Sequence, residues 1–159
     1  MKINIIAVGK LSSDFLEAAL IEFKTRLSHY CDLNIIEVEA EKLPKNPSAK
    51  DIENLQALEG ERILKKIEAR SYVFALDVKG KPMTSKGFAK SINNLKLRGY
   101  SSFTFLIGGA TGLSDFLLEE ADYRLSLSHM TFTHQMIRLI LLEQIYRAFK
   151  INNNEPYHL

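Results

Sequence analysis

A strand that opens into a glycine-rich turn is the first stretch of this sequence that suits ligand binding. Residues 103–113 read FTFLIGGATGL. Glycines adopt backbone angles that other residues avoid, and they let a ligand approach the main chain closely. The pattern matches neither the dinucleotide-binding G-x-G-x-x-G motif nor a P-loop, because no Gly-Lys-Ser/Thr follows. Taken alone, a Gly-Gly pair after a strand is a tight turn as often as a binding site, so both interpretations stay open.

A second stretch, residues 125–135, reads LSLSHMTFTHQ and leads into the last helix of the chain. Its two histidines, His129 and His134, are five positions apart and cannot share a helical face as the histidines of an HExxH zinc motif do. The single cysteine, Cys31, adds no thiolate cluster and is expected to be a small core residue. No metal site is predicted, and the lone cysteine favours a reducing, cytoplasmic setting.

Alternating β-rich and helical patterns predict the scaffold that positions these stretches. Strands are predicted at 2–8, 33–38, 72–77, 103–107 and 123–127, and helices from about 14, at 51–69, 85–97 and 114–121, and from about 133 to 151, with Ser85 and Ser114 as N-caps. Strand and helix alternate five times, which predicts an α/β domain with a mostly parallel sheet. Ligands in such sheets lie beyond the carboxyl ends of the strands, so the loops after Asp77, Ile107 and Leu127 are the candidate binding loops.

Length and charge limit the functional classes. The 159 residues suffice for one compact domain, 1–159, and the apolar runs are too short for a membrane span or a secretory signal. The net charge of +2 demands no polyanionic partner, but residues 79–98 contain six basic residues and no acidic one. This stretch could follow nucleic-acid phosphates, or it could be a solvated helix face balanced by acids elsewhere, and charge alone does not decide.

The last helix carries apolar residues around most of its circumference, among them Ile137, Leu141, Ile145 and Phe149. A helix at the edge of a small α/β domain normally keeps one face in water. A second apolar face therefore predicts a homodimer through this C-terminal helix, with deep burial in a monomer as the alternative.

Residues in fixed order along nearly the whole chain resemble the RlmH-like family of SPOUT methyltransferases. The shared features are Gly108-Gly109 after the strand, Leu-Ser-Leu-Ser-x-Met-Thr at 125–131, His134-Gln135 with Arg138, Glu-Gln-x-Tyr-Arg-Ala at 143–148, Tyr157-His158, and Glu-Gly-Glu-x-Ile-Leu at 59–64. Family members usually place a basic residue after the Tyr-His pair, where this chain has Leu159. A phosphate contact by that last side chain is therefore in doubt.

The resemblance implies a SPOUT fold, an α/β domain whose C-terminal segment forms a deep trefoil knot, which composition could not have indicated. It also implies S-adenosyl-L-methionine as the cofactor. By position, the binding residues are Leu76, Gly108, Leu127, Ser128, His129, Met130, Thr131 and Phe132. Leu76, Leu127 and Met130 are expected to sandwich the adenine, with core packing as the alternative for the two leucines, and Gly108 to leave room for the ribose or the sulfonium arm.

The activity implied by the resemblance is methylation of N3 of a pseudouridine in large-subunit ribosomal RNA, on the assembled ribosome. His158 is the expected base, Tyr157 is expected to orient or contact the nucleobase, and Arg147 is expected to stabilise the anion that forms. Arg138 is a second choice for that cation, and His134 is a weaker candidate. In a homodimer these groups could act across the interface.

Two other functions stay open at this point. A SPOUT enzyme that modifies transfer RNA would differ only in its target nucleotide. A catalytically silent module that docks on the ribosome would leave the glycine turn and the 127–132 loop without a purpose.

Overall fold

The computed structural model describes residues 1–157, which form one α/β domain. The elements are β1 (Lys2–Val8), α1 (Asp14–Leu27), β2 (Asp32–Val38), α2 (Ala49–Leu64), β3 (Tyr72–Pro82), α3 (Ser85–Leu97), β4 (Ser102–Ile107), α4 (Asp115–Glu120), β5 (Tyr123–Ser126) and α5 (Met136–Asn152). The predicted alternation of strand and helix is confirmed. All strand pairs are parallel, in the order β2-β1-β4-β3-β5.

Helices cover both faces of the sheet, because alternate strand residues point to opposite sides. On β1, Ile3, Ile5 and Ala7 join the core beneath α1, α3 and α5. Ile6 and Val8 join the core beneath α2 and α4. The central strand β4 is buried from Phe103 to Ile107, as its nearly continuous apolar sequence predicts.

Hydroxyl side chains set several helix starts, and one predicted cap is wrong. Ser114 caps α4 as predicted, with its hydroxyl accepting from Leu117 N. For α3, however, Thr84 is the cap: its hydroxyl accepts from Gly87 N at 3.0 Å. The Ser85 hydroxyl instead donates to Gln144 on α5 at 2.7 Å. A tertiary partner thus decides between two adjacent hydroxyl residues.

Two predicted helix boundaries also shift. Helix α2 ends at Leu64 rather than near residue 69. The N–H groups of Lys66 and Ile67 donate to carbonyl oxygens three residues earlier, as in a 3₁₀ turn, and Arg70 takes a φ of 64°. Helix α5 begins at Met136 rather than near residue 133, where the Thr133 hydroxyl accepts from Met136 N at 3.2 Å.

Cys31 packs against the larger core, as predicted for a small core residue. Burial raises the pKa of its thiol to about 11, so the reactive thiolate is scarce at neutral pH. Within residues 1–157, no helix has the length and apolarity to span a bilayer. The knot and the homodimer stay predictions.

Candidate active site

A cleft of about 390 Å³ opens at the carboxyl ends of β4 and β5, beside residues 76–79 of β3. Its walls come from three segments, residues 76–79, 107–113 and 124–134, together with parts of α4 and α5. This volume lies in the usual range for small-molecule sites. The cleft lies at the three strand ends that the sequence singles out.

The first wall differs from the predicted loop after Asp77. Strand β3 continues to Pro82, and both Leu76 and Lys81 pair with Leu125 of β5. Residues 77–80 therefore bulge out of the ladder toward the cleft. Gly80 permits this path, because a Cβ there would lie 2.7 Å from the carbonyl oxygen of Arg124.

The glycine turn forms the second wall. The Gly112 N–H donates to Gly109 O at 3.1 Å, and Gly112 has a φ of +82°, which favours glycine. A Cβ on Gly108 would lie 2.5 Å from the carbonyl carbon of Gly112. Closure of the turn therefore requires glycine at Gly108. Gly108 also lines the cleft, and its expected place beside the ribose or the sulfonium arm stays a prediction.

The 127–132 loop forms the third wall and is held partly by its own hydroxyls. Ser126 Oγ donates to Ser128 O at 3.0 Å, and Met130 N donates to Ser128 Oγ at 2.9 Å. Leu127, Ser128, Met130 and Phe132 line the cleft, whereas His129 and Thr131 do not. Met130 is 75% exposed, so its side chain is free to cover an occupant of the cleft.

An ion pair at the rim was missed by the sequence analysis. Arg124 Nη2 lies 2.6 Å from Asp77 Oδ2, and Lys79 N donates to Asp77 Oδ1 at 3.1 Å. All three residues line the cleft. In the sequence, Asp77 stands out as an acidic residue directly after an apolar run. Its partner Arg124 is 47 residues away, so local pattern could not pair the two.

Arg138 is fully buried at the start of α5, where it joins that helix to the sheet. Its guanidinium donates to the carbonyl oxygens of Val8 at 2.9 Å and Gly9 at 2.7 Å, and to Glu37 Oε1 at 2.8 Å. Burial lowers the pKa of Arg138, and the hydrogen bond and negative charge of Glu37 partly offset this shift. With these contacts made, Arg138 is a structural residue rather than a cation for a substrate. Beside it, His134 lines the cleft, and burial lowers its pKa.

The residues expected to do the chemistry lie at the opposite end of α5. Arg147 bonds to Glu143 Oε1 through Nε at 2.9 Å and Nη2 at 2.5 Å, and its Cζ lies 4.8 Å from the centre of the Tyr157 ring. Neither Arg147 nor Tyr157 lines the cleft. Arg147 follows the cleft residue Ile137 by ten positions, a rise of about 15 Å along the helix. His158 lies outside the described residues.

The segment after α5 packs back on that helix as far as Tyr157. Tyr30 donates its hydroxyl to Glu155 at 2.8 Å, and the Lys150 ammonium pairs with the same carboxylate. The Tyr157 ring meets Tyr146 edge to face, with centroids 5.0 Å apart. These contacts fix Tyr157 beside Arg147.

Comparison with known proteins decides the family. The family model described as "Predicted SPOUT methyltransferase" matches residues 1–158. The chain belongs to the SPOUT methyltransferases. It is 61% identical over 158 residues to "Ribosomal RNA large subunit methyltransferase H" of Halothermothrix orenii, and 55% identical to the protein of that name from Clostridioides difficile strain 630. Each alignment covers 99% of both chains, so the predicted resemblance to the RlmH-like family is confirmed.

A solved structure has a similar fold. The structure of a probable methylase family protein from Haemophilus influenzae Rd KW20 superimposes with a TM-score of 0.51 over 96% of this chain. The present chain spans 66% of that protein, at 17% identity. This likeness concerns the fold alone.

The cleft of this SPOUT protein fits an adenosyl group. Leu76, Leu127 and Met130 give apolar surface, and the cleft also holds polar groups at its rim. His129 and Thr131 do not line the cleft, so their expected cofactor contacts stay predictions. No group of three or more metal-binding side chains occurs within this described part of the chain.

Proposed function

We propose that this SPOUT protein uses S-adenosyl-L-methionine to methylate N3 of a pseudouridine in large-subunit ribosomal RNA, on the assembled ribosome and as a homodimer. The observation that carries the proposal is the cleft of about 390 Å³, built from the three strand-end segments. The name of the relatives at 61% and 55% identity supports the ribosomal RNA substrate.

The cofactor, when bound, supplies an electrophilic methyl group on its sulfonium. Leu76 and Leu127 would hold the adenine from the two sides of the cleft. In the proposal the main chain of the 127–132 loop would bind the edge of the adenine, which is the role that the resemblance implies for His129 and Thr131.

The nucleobase requires a base and a cation, because N3 lies between two carbonyl groups and its lone pair becomes available only when its proton leaves. In the proposal the His158 imidazole takes that proton, and Arg147 stabilises the negative charge on the flanking oxygens. Tyr157 contacts the base. The Arg147 guanidinium lies over the Tyr157 ring, 4.8 Å from its centre, so both groups would meet the same nucleobase.

Geometry favours a site shared between two copies. Arg147 and Tyr157 lie at one end of α5 and the cleft lies at the other, about 15 Å apart along the helix axis. An antiparallel pair of α5 helices would bring the far end of one copy to the cleft of the other. A groove of about 150 Å³ between α3, α5 and Leu127, with Ile140 in its wall, offers apolar surface for this pairing.

The basic residues of the 79–98 stretch would contact the phosphates of the RNA substrate. Lys79 lines the cleft, and Lys86, Lys90, Lys96 and Arg98 are exposed on or next to α3. Each phosphate contact would add salt-sensitive attraction.

The direct test offers labelled cofactor to three substrates: ribosomes that contain the pseudouridine, naked ribosomal RNA and transfer RNA. Label in ribosomes alone is expected. Label in transfer RNA alone would mean that transfer RNA, and not ribosomal RNA, is the substrate. If calorimetry detects no cofactor binding, that result would favour a catalytically silent module that docks on the ribosome.

A complementation test checks the shared site. Leu127→Glu should abolish cofactor binding, and Arg147→Ala should abolish transfer while cofactor binding is retained. Random mixing of the two variants makes half of the dimers mixed, each with one intact composite site, so about a quarter of wild-type activity should return. No recovery in a verified mixed dimer would mean that each copy works alone.

A further inference from the structure

A second cavity lies on the other side of the glycine turn from the cleft. It measures about 90 Å³, and its walls include Glu59, Thr111 and His134. Gly109, Thr111 and His134 also line the cleft, so the two spaces are neighbours that share one wall. None of the predicted binding residues lies in this second cavity.

Two oxygen atoms in this cavity lack hydrogen-bond partners among residues 1–157. They are Glu59 Oε2 and Thr111 Oγ1. Glu59 is only 4% exposed, and its other oxygen, Oε1, already accepts from Glu41 N at 2.9 Å. A buried polar atom that stays unpaired carries a full desolvation penalty, so these two oxygens favour a missing donor.

The charge around Glu59 calls for a cationic donor. The nearby Arg62 guanidinium pairs with the Glu41 carboxylate and donates to Glu39 O at 2.9 Å. Arg138 is engaged with Glu37. Burial raises the pKa of Glu59. The hydrogen bond from Glu41 N and the charge of Arg62 lower it by less, so the net shift is upward. The carboxylate is therefore buried without a cation of its own.

The glycine turn brings the carboxylate to the edge of the cleft. A Cβ on Gly109 would lie 3.1 Å from Glu59 Oε2 and 3.0 Å from Val8 Cγ1. The turn thus passes directly over the carboxylate, and a side chain at Gly109 would crowd the space between the turn and Glu59. Glu59 and Thr111 both line the second cavity, so a group entering it along this turn would meet both residues.

We infer that Glu59 and Thr111 form a subsite for the primary ammonium group at the amino-acid end of the cofactor. This inference rests on the proposed function, since it assigns one end of the same ligand. An ammonium group carries three N–H donors and one positive charge, and the subsite supplies a carboxylate oxygen and a hydroxyl oxygen. No group of three or more His, Cys, Asp or Glu side chains that could hold a metal ion occurs among residues 1–157, whereas an ammonium group can donate to the two oxygens present.

Calorimetry with two adenosyl ligands tests the subsite. S-Adenosylhomocysteine carries the amino-acid end, and 5′-methylthioadenosine lacks it. Glu59→Gln should lower the affinity for S-adenosylhomocysteine about 10- to 100-fold, as expected for loss of a charge-assisted hydrogen bond. Thr111→Val should weaken it about 3- to 10-fold. Both variants should bind 5′-methylthioadenosine like the wild type.

Glu61→Gln is the matched control, since it makes the same change at an exposed position of α2, and it should alter neither affinity. The thermal midpoint of ligand-free Glu59→Gln should equal or exceed that of the wild type, because a neutral amide costs less to bury and still accepts from Glu41 N. A purely structural role for Glu59 predicts a lower midpoint instead.

The outcomes separate the subsite from the proposed function. Equal weakening of both ligands, or no weakening of either, would overturn the subsite while leaving the cofactor assignment in place. A wild-type protein that binds neither ligand would overturn the proposed function and the subsite with it.

Discussion

Two arginines on α5, nine positions apart, illustrate two different uses of the same side chain. Arg138 is fully buried and donates to two carbonyl oxygens and to Glu37. Arg147 keeps 25% of its side chain exposed, pairs with Glu143 on its own helix and faces the Tyr157 ring. The first arginine ties α5 to the ends of β1 and β2, and the second remains close to solvent, where a substrate can reach it.

This difference indicates that the two ends of α5 have different roles in the candidate site. The Arg138 end of α5 must be rigid, because it carries the loop that walls the cleft. The Arg147 side chain is a quarter exposed and, in the proposed mechanism, supplies charge beside the Tyr157 ring. We therefore expect variants at Arg138 to lose stability and variants at Arg147 to lose catalysis.

The largest effect is expected for Arg138→Met. The change leaves Glu37 and two carbonyl oxygens without their donor, so the free energy of unfolding should fall by about 3–5 kcal/mol. Urea unfolding followed by circular dichroism measures it. The matched control is Arg26→Met, which breaks an ion pair of the same 2.8 Å length between exposed side chains and should cost under about 1 kcal/mol. Similar losses for the two variants would contradict the structural role of Arg138.

Arg147→Ala should lower kcat by about 10²–10³-fold, because it removes a cation that acts where charge develops. Cofactor affinity and thermal midpoint should stay close to wild type. Arg26→Ala is the control, since that guanidinium also lies over a tyrosine, 5.8 Å from the Tyr146 ring centre, and should keep its kcat. A rise in KM with unchanged kcat would assign Arg147 to RNA binding instead.

The sequence predicts what depends on local pattern, and it misses what depends on distant partners. Apolar runs predicted the sheet and the three strand ends at the cleft. The bulge at 77–80 escaped prediction, because it exists only where Leu76 and Lys81 both pair with Leu125. The choice of Thr84 over Ser85 as a cap was equally hidden, since Gln144 decides it.

The candidate site divides in the same way. The resemblance supplied the cleft residues, but it gave no reason to choose Arg147 over Arg138 on geometry, because both are arginines on one predicted helix. Their different surroundings come from Glu37 and Tyr157, which are far from each other in the chain. Glu59 was part of a quoted motif, yet its approach to Gly109 brings together residues fifty positions apart and needs the folded chain.

A smaller effect is expected for Ser128→Ala, which removes the acceptor of the Met130 N–H. Loss of one such hydrogen bond should loosen the 127–132 loop by about 0.5–1.5 kcal/mol, and cofactor affinity should fall about 3- to 10-fold. Calorimetry measures the change. Ser28→Ala, which removes a 2.7 Å hydrogen bond on the far surface of α1, should leave affinity unchanged.

The smallest effect concerns pH and the rigid end of α5. Burial, followed by the charge of Arg138, lowers the pKa of His134 from its ordinary value of 6.5. Its neutral form is therefore favoured in the folded state, so the stability it contributes is present above pH 6.5 and is lost as the pH falls through the lowered pKa. The thermal midpoint should decline in this window in the wild type and decline less in His134→Asn. Because Arg147 lies at the other end of the helix, Arg147→Ala should keep the wild-type pH profile of stability. A profile that flattens in Arg147→Ala, but not in His134→Asn, would show that the two ends of α5 are coupled.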